Sequence, residues 1–159
     1  PWVGTLIGDV TQPILLIAPE GREEEAVTRL ARVGFDNALG YLKGGVDFWI
    51  KEGKPIDTVE GVSANEFEKI FKKEKKIIFD VRKTNEYDSE HIKKSKNTPL
   101  DFINVHMKEF FIENTFYLHC AGGYRSMIAA SILKSRGVHN FVDINGGFNE
   151  IKKTKINLI

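Results

Sequence analysis

Short apolar runs alternate with helical patterns along this chain, and that alternation limits the folds open to it. Pro13-Ile14-Leu15-Leu16-Ile17 is a continuous apolar run of the kind a buried parallel strand requires. Ile77-Ile78-Phe79 reads as a second buried strand, and Ala38–Leu42, Phe116–His119 and Phe141–Ile144 as further strands. Arg22–Val33 is an amphipathic helix stopped by Gly34, and Val46–Lys51 is a short one carrying Phe48 and Trp49. Ser63-Ala64-Asn65-Glu66 is a capping box opening a helix whose apolar face is Phe67, Ile70 and Phe71. A helical turn is expected over Asn85–His91, a packed helix over Asp101–Phe111, a long helix over 124–136 and a last short one over Phe148–Lys153. Strands alternating with helices predict an α/β fold with a largely parallel sheet.

Part of this pattern occurs twice. Ala31-Arg32-Val33-Gly34-Phe35-Asp36-Asn37 answers Ser135-Arg136-Gly137-Val138-His139-Asn140, and Lys43-Gly44-Gly45-Val46 answers Asn145-Gly146-Gly147-Phe148. Residues 1–54 therefore read as the second half of a unit that 62–159 presents whole, with 55–61, containing Pro55, as a linker. Two strands and two helices cannot cover both faces of a sheet. Residues 1–54 are expected either to dock on the complete unit or to finish a sheet with another chain, as in a homodimer.

The chemistry concentrates at Phe116-Tyr117-Leu118-His119-Cys120-Ala121-Gly122-Gly123-Tyr124-Arg125-Ser126, which holds the only cysteine. Strand, glycine-containing loop and helix follow in order, placing the thiol where the free N–H groups and positive dipole end of a helix gather. Such positions, and a neighbouring Arg, favour the nucleophilic thiolate. Gly122 and Gly123 let the backbone curl its N–H groups toward the sulfur. A buried structural cysteine is the plain alternative; the glycine pair, Arg125 and the helix start favour a reactive one. In the first copy Ala18 or Ile17 stands in place of Cys120, and Glu20, Glu23, Glu24 and Glu25 would repel an anion, so that copy reads as inactive.

Lys plus Arg is 23 and Asp plus Glu 22, which gives no electrostatic case for nucleic acid or an anionic membrane. The run Lys72-Lys73-Glu74-Lys75-Lys76 reads as a solvated helix end. A single cysteine excludes an internal disulfide and fits a reducing, cytoplasmic compartment. No apolar stretch approaches the roughly 20 residues of a membrane span, and no basic start marks a signal peptide. The beginning at Pro1, without an initiator Met, fits an excised piece of a longer protein.

Cys120, four residues, Arg125 and then Ser126 resemble the active-site loop of rhodanese-like sulfurtransferases. The resemblance covers 62–159: Asp80-Val81-Arg82, the segment Glu86, Tyr87, His91 and Ile92, then Asn97-Thr98-Pro99-Leu100, and the ending Asn145-Gly146-Gly147-Phe148. Glu90 and Ser95 depart from the family's usual Gly and Ala. The resemblance implies a three-layer fold with a largely parallel five-stranded sheet, preceded here by a partial inactive copy. The pair is most similar to the C-terminal rhodanese region of proteins that begin with a metallo-β-lactamase-fold, persulfide dioxygenase-like domain, so an upstream hydrolase or dioxygenase domain is implied. No His-x-His-x-Asp motif occurs in these residues, and no metal or cofactor is expected.

As implied by the family, Cys120 takes a sulfane sulfur from thiosulfate or a low-molecular-weight persulfide and passes it to a thiol or cyanide. Arg125 holds the loop and favours the anion. Backbone N–H groups of Ala121, Gly122, Gly123, Tyr124 and Ser126 cradle the sulfur. Asp80, Arg82, Glu86 and His91 support the loop, with Asp80 a partner for Arg125 or Arg82. His119 should face away from Cys120 in a strand. A cysteine-dependent phosphatase is the rival enzyme, but its loop puts five residues between Cys and Arg, where this chain has four. A non-catalytic rhodanese-like binding module is the rival of another class.

Overall fold

The structure, a computed structural model, describes residues 2–159 and divides into two compact units, up to Asp57 and from Thr58 onward. In the first, α1 (Val3–Leu6) precedes β1 (Ile14–Leu16), α2 (Glu23–Ala31), β2 (Ala38–Tyr41) and α3 (Gly45–Lys51). β1 and β2 form a parallel pair, with Ile14 opposite Ala38 and Leu16 opposite Tyr41. The expectation that Pro13–Ile17 is a buried strand fails in one respect. Leu15 is 77% exposed and Leu39 66%, because this two-stranded sheet has too few elements to cover both of its faces.

The second unit runs β3 (Gly61–Ser63), α4 (Ala64–Lys73), β4 (Ile77–Asp80), α5 (Thr84–Ser89), β5 (Lys96–Asn97), α6 (Ile103–His106), β6 (Phe116–His119), α7 (Tyr124–Ser135), β7 (Phe141–Asn145) and α8 (Gly147–Ile151). The strands make one five-stranded sheet in the order β3-β7-β6-β4-β5, every neighbouring pair parallel. β4, β6 and β7 are central and buried on both faces, so their alternate side chains feed two cores. Ile78, Tyr117, Val142 and Ile144 join Ala64 and Phe67 of α4 and Phe148 and Ile151 of α8 in one core. On the other face Phe79 packs on Phe110 at 4.6 Å and edge-on to Phe116 at 5.0 Å, and Phe116 meets Phe141 at 5.6 Å.

The capping box at Ser63 forms: its hydroxyl accepts from the Glu66 N–H, and Glu66 accepts from the Ser63 N–H. The five strands that the resemblance implies are present, but two of them, at the sheet's edges, have no residue pattern that places them. Gly61–Ser63 fell in the expected linker and helix start, and a two-residue β5 is too short to show a period. The packed helix expected over Asp101–Phe111 is corrected to three turns: a 3₁₀ turn at Leu100–Phe102, α6, and a second 3₁₀ turn at Met107–Phe110. Pro99 fixes the entry, and Leu100, Ile103, Met107 and Phe110 still point inward at near-helical spacing. Among the described residues no helix is long and apolar enough to cross a membrane.

Candidate active site

The four parallel residues of β6 end at His119, so Cys120 emerges at the carboxyl edge of the sheet, beside its centre, where ligands of open α/β sheets gather. The chain then turns through 121–123 and enters α7. Cys120 is 1% exposed, and its Sγ accepts a hydrogen bond from the Gly123 N–H at 3.1 Å. Gly123 has φ +99°, a left-handed value that turns its amide back toward the sulfur and would strain any residue with a Cβ. The Ser126 hydroxyl donates to the Gly123 carbonyl at 3.1 Å, fixing the same peptide from the helix side. Asp143 of β7 lies buried, and its burial pushes the carboxyl above the usual range.

A second support comes from the far end of the chain. The Phe148 N–H donates to the Cys120 carbonyl at 2.7 Å and the Asn149 N–H to the Ala121 carbonyl at 2.9 Å, so the first turn of α8 carries the sulfur loop. This contact is close: a Cβ on Gly147 would lie 2.4 Å from the Cys120 carbonyl oxygen and 2.9 Å from Ala121 backbone atoms. The sequence signal for it is the Gly146-Gly147-Phe148 run, which also read simply as a break after the strand.

Two ion pairs flank the loop. Arg125 donates through Nη1 and Nη2 to Glu86 at 2.5 and 2.8 Å. The guanidinium holds the Glu86 carboxyl below its usual range, and the pairing raises Arg125 above its own. Asp80 was expected beside Arg125 or Arg82; it is Arg82 that binds it, through Nε at 2.9 Å and Nη2 at 2.6 Å, both side chains being buried. Arg82 also donates to the Glu90 carbonyl at 2.8 Å and lies 3.7 Å from the Phe148 ring centroid. His119 is fully buried, with Nδ1 3.2 Å from the Cys120 carbonyl and Nε2 3.8 Å from Asp80 Oδ2. Burial keeps its imidazole neutral by lowering its pKa.

His91 stacks on Tyr87, ring centroids 3.7 Å apart, and its Nδ1 lies 2.8 Å from the Tyr87 carbonyl. Tyr87 in turn donates to the Ser95 carbonyl at 2.5 Å, so both residues fasten the turn after α5. Of the loop residues, Gly122 and Tyr124 are the open ones, Tyr124 being 70% exposed. Among the described residues no cluster of His, Cys, Asp and Glu could hold a metal ion.

A buried sulfur accepting from the Gly123 N–H, at the carboxyl edge of a five-stranded parallel sheet, defines a class of protein. The rhodanese-like domain family model matches residues 63–154. This chain belongs to that family. It is 32% identical over 73 residues to the uncharacterized protein YqhL of Bacillus subtilis, covering 46% of this chain and 58% of that one. It is 35% identical over 78 residues to the tRNA sulfurtransferase of Thermoplasma acidophilum, covering 48% of this chain and 15% of that one. The chain thus spans less than two thirds of either curated relative. A rhodanese-related protein of Thermoplasma volcanium shares the fold with a TM-score of 0.56 at 24% identity, over 63% of this chain and 97% of that one. The thiosulfate sulfurtransferase of Pseudomonas aeruginosa matches with a TM-score of 0.55 at 19% identity, over 99% of this chain and 34% of that one.

Proposed function

We propose that the second unit is a sulfurtransferase that works through a Cys120 persulfide. The observation that carries this reading is the Cys120 sulfur itself, held on the Gly123 N–H at the mouth of a ring with only four residues before Arg125. Cys120 thiolate attacks the outer sulfur of thiosulfate or of an alkyl persulfide. The S–S bond of the donor breaks, and sulfite or a thiolate leaves with the electron pair. The Cys120 persulfide that remains carries its charge on the terminal sulfur, where loop amides can donate to it. An acceptor thiolate or cyanide then attacks that sulfur, the new S–S bond breaks, and the Cys120 thiolate returns. Arg125, held by Glu86, shapes the helix end of the ring. Asp80 and Arg82 clamp the end of β4, the strand beside the one that leads into the loop. Saturating a phosphate ester as well as sulfur donors tests the choice of chemistry: turnover of the ester above a Cys120→Ala control would overturn the sulfur reading.

We also read residues 1–54 as the latter half of an inactive copy. β1 and β6 are each tied to the Asn carbonyl just before the strand that follows: Ile14 N–H to Asn37 at 2.9 Å, and Phe116 N–H to Asn140 at 3.2 Å. Both helices close alike, with Phe35 N–H on the Leu30 carbonyl and Val138 N–H on the Leu133 carbonyl. The position of Gly45 facing the Ala18 carbonyl matches Gly147 facing that of Cys120, which aligns Ala18 with the nucleophile. Five residues on from Ala18 stands Glu23, not an Arg. The bare face around Leu15 and Leu39 calls for further polypeptide, from a second copy or from a longer parent chain. Light scattering of the chain tests the first source. An upstream metallo-β-lactamase-fold domain rests on the sequence resemblance alone, and sequencing the parent gene tests it.

A further inference from the structure

A cavity of about 330 Å³ opens at the amino edge of the sheet, the edge opposite Cys120. Its walls are Phe71 of α4, Lys75 and Lys76 just before β4, Lys93 and Lys94 before β5, and Asn157. The Lys93 N–H donates to the Asn157 carbonyl at 3.1 Å, which ties the two loop walls together.

The charge there is one-sided. Of the four ammonium groups, Lys76 pairs with Glu74 at 2.6 Å, while Lys75, Lys93 and Lys94 make no ion pair among the described residues. Folding thus collects three unpaired cations around one concave wall, although the chain as a whole is nearly neutral. Like charges gathered on a concave surface repel one another and focus potential on an anion. Beneath the ammonium groups the wall is apolar: Phe71 packs against the core cluster, and lysine stems lie along such surfaces with their heads in water.

Backbone geometry supplies an independent observation. Lys94, at φ +76°, is the only non-glycine residue with a left-handed backbone among the described residues. Side-chain-bearing residues held in that region concentrate at ligand clamps and other functional turns. Here the held residue is one of the unpaired cations.

We propose that this cavity binds an organic anion with an apolar body, such as an acyl or aromatic carboxylate or sulfonate. Phe71 and the lysine stems cover the body, and Lys75, Lys93 and Lys94 meet the acid group. The site is separate from the sulfur loop and does not depend on its chemistry.

Anilinonaphthalene sulfonate carries both features and serves as the test ligand, with its binding to the full chain followed by fluorescence and by amide NMR shifts. The site predicts saturation at one equivalent, shifts at Phe71, Lys75, Lys94 and Asn157, and weaker binding as salt rises. Lys93→Glu with Lys94→Glu should weaken binding by about tenfold or more, since two attractions become repulsions; Lys75→Glu alone is the second variant should the pair fail to fold. Lys94→Gly separates binding from structure: it frees a strained turn, so the melting temperature rises while affinity falls a few-fold. Dye that shifts Leu15, Leu39 and Tyr41 instead, or binding unchanged by the charge reversals, would overturn the proposal.

Discussion

Gly146 and Gly147 are neighbours with similar left-handed backbones, yet alanine should act very differently at each. Both changes incur the cost of placing a side-chain-bearing residue in that region, about 1–2 kcal/mol. At Gly146 the new Cβ meets Glu150 Cγ at 2.4 Å, the movable stem of an exposed side chain, so little is added. At Gly147 it meets the carbonyl oxygen of Cys120 at 2.4 Å and Ala121 at 2.9 Å, both backbone. Either α8 or the sulfur loop must withdraw. The Phe148-to-Cys120 and Asn149-to-Ala121 hydrogen bonds are then lost, at about 0.5–1.5 kcal/mol each. The sum is about 2–5 kcal/mol for Gly147→Ala against about 1–2 for Gly146→Ala. In a unit of about 100 residues each kcal/mol moves the midpoint by about 4–8 °C. Gly147→Ala should therefore melt about 8–40 °C lower and load persulfide poorly, whereas Gly146→Ala falls by about 4–16 °C and loads normally. Calorimetry and intact-protein mass spectrometry on the two variants read both effects. Equal melting temperatures and equal loading would refute the claim that α8 carries the loop.

Three further outcomes follow from the same geometry. Glu86→Ala leaves Arg125 without its partner; because Glu86 is partly exposed, screening reduces the cost to on the order of 1–2 kcal/mol, measurable by urea unfolding, with a larger loss in persulfide loading than in stability. His119 is buried with its pKa lowered from 6.5, so the unfolded chain takes up a proton that the folded chain resists. Its contribution is present above pH 6.5 and is lost as pH falls below that value; urea midpoints measured across this window should decline, and His119→Gln should flatten that decline. Phe67→Ala empties the centre of the α4 core, where Phe67 is fully buried beside Tyr117 at 4.8 Å, and should cost about 3–5 kcal/mol in the same assay.

The parallel sheet was legible because its central strands are buried on both faces and so appear as unbroken apolar runs. The site loop was legible because one cysteine, two glycines and an Arg fall within six residues. What escaped the sequence depends on distance along the chain. Arg125 meets Glu86 across 39 residues, and no local pattern chooses Glu86 over Asp80 as its partner. The support from Phe148 and Asn149 runs through backbone amides, which every residue but proline has. β5 shows no period because two residues cannot, and Leu15 looked buried because composition records apolarity and not whether a covering element is present.

In the proposed reaction Cys120 carries the sulfur. Intact mass spectrometry of the full chain after brief exposure to thiosulfate, and separately to an alkyl persulfide, tests it most directly. A gain of one sulfur atom's mass with at least one donor is expected, mapped to Cys120, discharged by cyanide and absent from Cys120→Ser. A folded chain that gains no sulfur from either donor, or gains it equally in Cys120→Ser, would contradict it.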